Sequence, residues 1–288
     1  MQGPRPRNED RTFVLWSGRR HDRPPMLAAG LLDGIGGSKV GDVAASVAAA
    51  HFLAAFVENQ RPIEAAPELQ DVLESALTRA NAQLCEIFDG ASGTTLTAVA
   101  MTHECCVAVH VGDSRLYRNP PGIAQVTRDD TVAGLLGAET PDLLGDGLLQ
   151  FVGIGPSVLH QSYDLTAACP KRLLLTSDGL HNLGPRALRR LLRGPWSQER
   201  LEQDEAYWDL WDNASAVYIR TEYARIELDQ LAPYELRLIC GHRRASFTLA
   251  QGRECSTSSL APGIGAMTDR GFQGDRVSLQ SKPKEKSE

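Results

Sequence analysis

The chain has six cysteines (Cys85, Cys105, Cys106, Cys169, Cys240 and Cys255) but no CxxC pair and no histidine array to go with them. That spacing supports neither a structural zinc site nor a disulfide framework, and small apolar thiols in a reducing cytoplasm fit better. A leader-like start is also missing, because Met1 is followed by Gln, Gly, Pro and arginines rather than an apolar segment. The most lipophilic stretch, Val43–Val57, is alanine-rich, holds His51 and is too short to cross a bilayer, so it reads as a buried helix. Cationic excess is absent too. A net charge of -6 argues against general nucleic-acid binding, and the basic run Arg186–Arg193 reads as the solvated face of a short helix. No Ser or Cys stands in a nucleophile motif, which leaves covalent catalysis without a candidate.

What the chain does have is a repeated device, an apolar run that ends on a carboxylate and breaks into a turn. MLAAGLLD ends on Asp33, CCVAVHVGD on Asp113 and RLLLTSD on Asp178, while Asp212 opens the run ASAVYI. Apolar runs of this length are expected to be strands, and a sheet can bring their ends to one edge. The spacing predicts further strands at Thr12–Ser17, Leu96–Thr102, Cys105–Val111, Leu116–Arg118, Ile123–Val126 and Gln161–Leu165, with GRRHDRPP as a polar loop. Helices are expected at Val40–Glu58, which is apolar nearly all round, and at Pro67–Phe88, which has the clearest 3.6-residue period. Shorter helices are expected near Thr131–Leu136 and at Pro185–Arg193 and Ser197–Leu210. Tyr223–Ile239 carries a weak signal of either kind, and Gln251–Glu288 has the composition of a disordered tail.

Several carboxylates at strand ends suit a hard divalent ion, which takes oxygen ligands and keeps part of its water shell. The glycines at 34, 36 and 37 would let the backbone take positive φ and approach an ion or substrate closely. Two ions a few Å apart can activate water and neutralise phosphoryl oxygens, the usual arrangement for metal-assisted phosphoester hydrolysis. Each Asp-Gly pair alone reads as a turn; their order and combination carry the information.

That order resembles the metal-dependent serine/threonine protein phosphatases, the PPM or type 2C family, in its compact bacterial form. The matching pieces are G-x-R-x-x-N-E-D at Gly3–Asp10, D-G-x-G-G-x-x-x-G-D-x-A at Asp33–Ala44, S-G-T-T at Ser92–Thr95, G-D-S-R-L-Y at Gly112–Tyr117, T-S-D-G-L at Thr176–Leu180 and D-N-A-S at Asp212–Ser215. The resemblance implies an α+β, four-layer αββα sandwich, two antiparallel β-sheets flanked by helices, with the metals at one end between the sheets. It implies a phosphatase domain over residues 1–220, an extension at 221–250 that it leaves unassigned, and the tail beyond.

By position, the resemblance makes Asp33 the bridge between two Mn²⁺ or Mg²⁺ ions, with the Gly34 carbonyl completing the first and Glu9, Asp178 and Asp212 holding the second. Asp113 and Asp178 would serve a third, looser ion, Asp10 would bind metal-coordinated water, and Arg5 would fork onto the phosphate. Hydrolysis would then proceed by direct attack of a bridging hydroxide, with no phosphoenzyme. The implied substrates are phosphoserine and phosphothreonine in proteins, the products of a Ser/Thr kinase; nucleic acid and membrane are not implied.

Departures are visible. Ile35 and Ser38 stand where relatives often carry histidine, so water is left to protonate the leaving group. Residues His110, His160 and His181 match no catalytic position and read as structural or surface residues. The family places another strand before Gly3, where only Met1 and Gln2 precede, so the expectation is a start assigned too late or a missing edge strand. The segment Thr127–Gly155 falls at the family's flap and is short for it. Two other readings stay open: a catalytically weak phosphatase-like scaffold, and a hydrolase of small phosphorylated metabolites.

Overall fold

The computed structural model describes residues 1–35, 40–59, 61–119, 122–136, 147–168, 170–193, 203–204, 209–241 and 243–248. Gly36, Gly37, Ser38 and the tail Gln251–Glu288 lie outside these, as do parts of the expected Ser197–Leu210 helix and of the Thr127–Gly155 segment.

Strands β1 (Asp10–Ser17) and β2 (Met26–Asp33) pair antiparallel, with Asp10 opposite Asp33. Then come helices α1 (Gly41–Glu58) and α2 (Ala66–Phe88) and the hairpin of β3 (Leu96–Met101) and β4 (Cys106–Val111). Next are β5 (Arg115–Asn119), β6 (Ala124–Gln125), α3 (Val132–Leu136), β7 (Gln161–Asp164) and β8 (Arg172–Thr176). The order continues with α4 (Asp178–His181), α5 (Pro185–Arg193), β9 (Ala216–Arg220), α6 (Thr221–Asp229), β10 (Glu235–Cys240) and β11 (Arg243–Thr248). Two antiparallel sheets result, one of order β11-β10-β1-β2-β3-β4-β7 and one of order β6-β5-β8-β9.

The pleat decides the layers, since alternate residues of a strand face opposite ways. Met26, Ala28 and Leu32 of β2 join Phe13, Val107, Val109 and Leu238 in packing against α1 and α2, whereas Leu27, Ala29 and Leu31 face Leu173, Leu175, Val217 and Ile219 of the second sheet. Tyr117 and Leu174, on the far side of that sheet, meet Leu188, Leu191 and Leu192 of α5. The layers therefore run helices, sheet, sheet, helix, as the α+β reading expects. β2 is buried along nearly its whole length because both of its faces are covered.

Local signals explain most boundaries. In α2, Leu69, Val72, Leu73, Ala76, Leu77, Ala80 and Leu84 form the buried stripe, the Glu68 carboxylate accepts the Ala65 amide at 2.9 Å, and Asp89 closes the helix in the left-handed region. Ile87, near the end of the helix, is exposed. Helix α1 is long and apolar enough to cross a membrane by length and composition, so burial between α2 and the sheet, rather than shortness, is what marks it as a core helix. Its C-terminal carbonyls are taken by two buried arginines from the stretch read as a polar loop. Arg20 Nη1 donates to Val57 O at 2.7 Å and Arg23 Nη2 to Phe56 O at 3.3 Å, favourable at a helix C-terminus. Burial and the neighbouring Arg20 lower the Arg23 guanidinium to about 9.

The residues after Thr221 supply a helix whose Ala224 and Leu228 join the inter-sheet core, and a strand, β10, that pairs with β1 from Phe13↔Cys240 to Ser17↔Leu236. Met1 exchanges backbone hydrogen bonds of 2.6 and 2.8 Å with Ala214, just before β9.

Phe52 is fully buried with its ring 5.6 Å from that of Phe13, where α1 meets the sheet. Phe52→Ala should destabilise the protein by about 3–5 kcal/mol. A chemical-denaturation midpoint unchanged from wild type would contradict this packing.

Candidate metal centre

Strand parity also aims the carboxylates. Asp33 follows Leu27, Ala29 and Leu31 on the face turned to the second sheet, and Asp10 lies opposite it in register. Asp178 begins α4 directly after β8, Asp113 lies in the turn between β4 and β5, and Asp212 precedes β9. These turns come from both sheets and open on one cleft of about 520 Å³. Arg5, Glu9, Asp33, Gly34, Asp113, Asp178 and Asp212 all line it, so seven of the expected site residues converge. Asp10 does not line the cleft. It is buried behind it, accepting a hydrogen bond from Ser177 Oγ at 2.9 Å.

Neutral groups hold the backbone around Asp33 and Glu9. Asp33 donates its amide to Thr95 Oγ1 at 2.9 Å, and its carbonyl accepts from Thr94 Oγ1 and the Thr95 amide, each at 2.8 Å. Asn213 ties down the N-terminal segment: its Nδ2 donates to the carbonyls of Gln2 at 2.7 Å and Arg7 at 2.9 Å, and its Oδ1 accepts the Glu9 amide at 2.7 Å. With this staple Arg5 and Glu9 reach the cleft. The positive φ expected at Gly34 is not found. Its requirement is space, since a Cβ there would stand 2.3 Å from Gly41 O and 3.0 Å from Glu9 O.

Crowded like charges shift the acids upward. Burial, then repulsion from Asp10, Asp178, Asp113 and Asp212, holds Asp33 well above the usual carboxylate range. Burial, then Asp113, Asp212 and Asp10, raises Asp178 to about 7. Glu9 is raised by burial and Asp42, with Arg5 opposing. Arg5 Nη2 donates to Asp212 Oδ2 at 2.6 Å, and Arg5 is the only cationic side chain among the described residues lining the cleft.

The donor set fits a hard divalent ion. It is made of oxygens, and Asp178 Oδ1 and Asp10 Oδ1 are buried with no hydrogen-bond partner, a state that a cation or its bound water would relieve. Among the described residues, however, no group of three acidic, histidine or cysteine side chains is already gathered as a cage.

The three histidines are elsewhere. His110 is buried between Thr97 and the Arg128 carbonyl, and His181 is buried beside Thr176, with burial and then Arg115 holding its pKa well below the usual value. His160 lies 3.7 Å from Glu74. None of them lines the cleft, which agrees with the structural reading. Thr94, Thr95, Ser177 and Asn213 had drawn no role from the sequence. Their only signal there was membership of the S-G-T-T, T-S-D-G-L and D-N-A-S motifs.

The raised acids predict a pH dependence for the metal-free protein. The folded chain holds protons that an unfolded Asp releases near its ordinary value of about 4. The stability they contribute is complete below that value and lost as pH rises through about 7, where Asp178 titrates. In chelator, the melting temperature should fall between about pH 4 and about pH 7, and Asp178→Asn should flatten that fall. An identical slope in the variant would remove Asp178 as the cause.

Residues 7–231 match the protein phosphatase 2C family. The chain is 28% identical over 195 residues to the serine/threonine phosphatase stp of Listeria innocua, covering 62% of this chain and 75% of that one. The structure of a bacterial serine phosphatase superposes with a TM-score of 0.63 at 24% identity, over 76% of this chain and 94% of that one. The catalytic domain of the serine/threonine protein phosphatase PstP, crystallised with two manganese ions, superposes with a TM-score of 0.54 at 26% identity, over 76% and 94% of the two chains. With the family match spanning most of its length and two antiparallel sheets delivering the carboxylates to one cleft, the chain belongs to the protein phosphatase 2C family.

Proposed function

We propose that this chain is a metal-dependent phosphatase acting on phosphoserine and phosphothreonine in proteins. The observation that carries the proposal is the convergence of Glu9, Asp33, Asp113, Asp178 and Asp212 on one cleft, with Arg5 as its cation. Mn²⁺ or Mg²⁺ would be held by Asp33, the Gly34 carbonyl, Glu9, Asp178 and Asp212, with Asp113 and Asp178 serving a third ion. The relative crystallised with two manganese ions supports this choice. When bound, the ions would neutralise phosphoryl oxygens and activate water.

The chain's own residues do the rest. Arg5 offers a planar two-donor fork that suits two phosphoryl oxygens, and it would have to leave Asp212 to use it. Ile35, Phe151 and Trp211 line the cleft beside the acids and would exclude water around the reacting ester. No lining residue among those described is a histidine, so departure of the alcohol would rely on water. A Ser/Thr kinase would supply the phosphoprotein substrates, a role supported by the name of the Listeria relative. The scaffold reading keeps one point in its favour, the ungathered ligand set, and metal titration separates the two.

Hydrolysis of a phosphothreonine peptide should rise with Mn²⁺ and saturate, and a free phosphorylated metabolite should be the poorer substrate. Asp33→Asn and Asp178→Asn should each lower kcat/KM by at least about a hundredfold, the scale of several kcal/mol of lost charge stabilisation, while circular dichroism stays unchanged. Full turnover in either variant would defeat the ligand assignment; no turnover by wild type in excess metal would favour the scaffold. Without a side-chain acid, rates across a series of aryl phosphates should increase as the leaving phenol becomes more acidic. A flat series would require a proton donor in the cleft.

A further inference from the structure

The turn that carries Asp113 is fixed by a residue outside the ligand set. Gly112 has φ of 106°, and both of its backbone polar groups go to Asp130. The Gly112 amide donates to Asp130 Oδ2 at 2.9 Å, and the Asp130 amide donates to Gly112 O at 2.7 Å. The remaining polar atoms of Asp130 are committed as well. Gln161 Nε2 donates to Oδ1 at 2.7 Å, and the Asp130 carbonyl accepts the Leu149 amide at 2.7 Å, next to cleft-lining Leu148.

The neighbours of Asp130 are anchored too. Asp129 receives Arg115 Nε at 2.9 Å on one oxygen and Nη2 at 2.6 Å on the other. The Arg128 carbonyl bonds Gln161 Nε2 at 2.7 Å and lies 3.2 Å from His110 Nε2. On the opposite side of the turn, Ser114 Oγ meets Thr95 Oγ1 at 2.7 Å, the same hydroxyl that accepts the Asp33 amide. A Cβ on Gly112 would stand 2.6 Å from Thr95 Cγ2, so the turn is packed against Thr95 and pinned by Asp130.

We propose that Asp130 is a positioning residue for the metal-binding arm built on Asp113. The inference rests on the reading of Asp113 as a ligand given above. Asp113 follows a glycine in the left-handed region, where the backbone has little steric preference of its own. The two bonds from Asp130 close a ring across that glycine and so set the direction in which the Asp113 carboxylate leaves the turn. Without them Asp113 would lose its orientation, whereas Asp33 would keep its three bonds to Thr94 and Thr95. The effect should therefore fall on the Asp113-dependent ion alone. Outer-shell partners of this kind are worth about 10–100-fold in metal affinity.

The test is a calorimetric Mn²⁺ titration of the full chain as wild type, Asp113→Asn, Asp130→Ala and Asp130→Asn, with melting temperatures alongside. Asp130→Ala should weaken the same class of Mn²⁺ site as Asp113→Asn, by about tenfold or more, and leave the tightest class within about twofold. Asp130→Asn keeps a carbonyl oxygen for the Gly112 amide but loses the acceptor for Gln161 Nε2, so it should shift the same class by less than Asp130→Ala does. An unchanged isotherm for Asp130→Ala would overturn the proposal, as would uniform weakening of every class in step with lost thermal stability. If Asp113→Asn changes no class, the ligand reading falls and the proposal with it; if Asp113→Asn acts and Asp130→Ala does not, only the proposal falls. Should Asp130→Ala fail to fold, Gln161→Ala, which removes one anchor of the Asp130 carboxylate, should shift the same class by a smaller factor, and no shift would count against the idea.

Discussion

Like-charge repulsion at one end of the sandwich is the constraint that the rest of the structure answers. Asp33 feels Asp10, Asp178, Asp113 and Asp212 together, in surroundings where burial already penalises its charge. Countercharge could hold such a cluster, but among the described residues Arg5 is the only cation lining the cleft, and it serves Asp212. The other carboxylates are held through their backbones or by hydroxyls: Thr94 and Thr95 around Asp33, Ser177 on Asp10, Asn213 at the Glu9 amide. Neutral dipoles fix position without cancelling charge, so the oxygens stay available to a cation.

Two sheets solve the placement problem that one could not. On a single strand, successive residues alternate faces, so carboxylates delivered to a common point must come from several strand ends. β2 contributes Asp33, the turn after β4 contributes Asp113, β8 leads into Asp178, and β9 follows Asp212. The apolar inter-sheet layer, with Leu27, Ala29 and Leu31 against Leu173, Leu175 and Val217, fixes the distance between these ends. Packing of residues far from the cleft thus decides whether the ligands meet.

This arrangement was legible in the sequence wherever the signal was local. Runs ending on Asp33, Asp113 and Asp178 marked both the strands and the carboxylates that share the cleft, and the period of α2 gave its buried face. The misses have physical reasons. β10 does alternate, with Leu236, Leu238 and Cys240 buried, but Glu235 and Arg237 between them dilute a short signal, and its partner β1 lies near the other end of the chain. Arg20 and Arg23 look like solvent-facing loop residues until α1 presents its carbonyls to them. Asp130 sits in a stretch without periodicity, and only the fold reveals that it closes on Gly112. Side chains that hold backbones leave fainter traces in sequence than side chains that hold ions.

Among the described residues, the carboxylates share one cleft without being gathered into a cage. A fully preorganised set would bind metal more tightly, but it would destabilise the metal-free fold by forcing Asp33 and Asp178 closer to their neighbours. The chain takes an intermediate course. Arg5 lies on Asp212 as a resident positive charge, Asp178 is raised to about 7 and so is partly protonated near neutrality, and Thr95 and Asp130 hold the backbones of Asp33 and Gly112. A cation entering the cleft would displace a proton and a guanidinium rather than fall into an empty trap, and part of its binding energy would go into those displacements. Arg5, which now lies on Asp212, carries the donors that would suit a phosphate on the proposed reading.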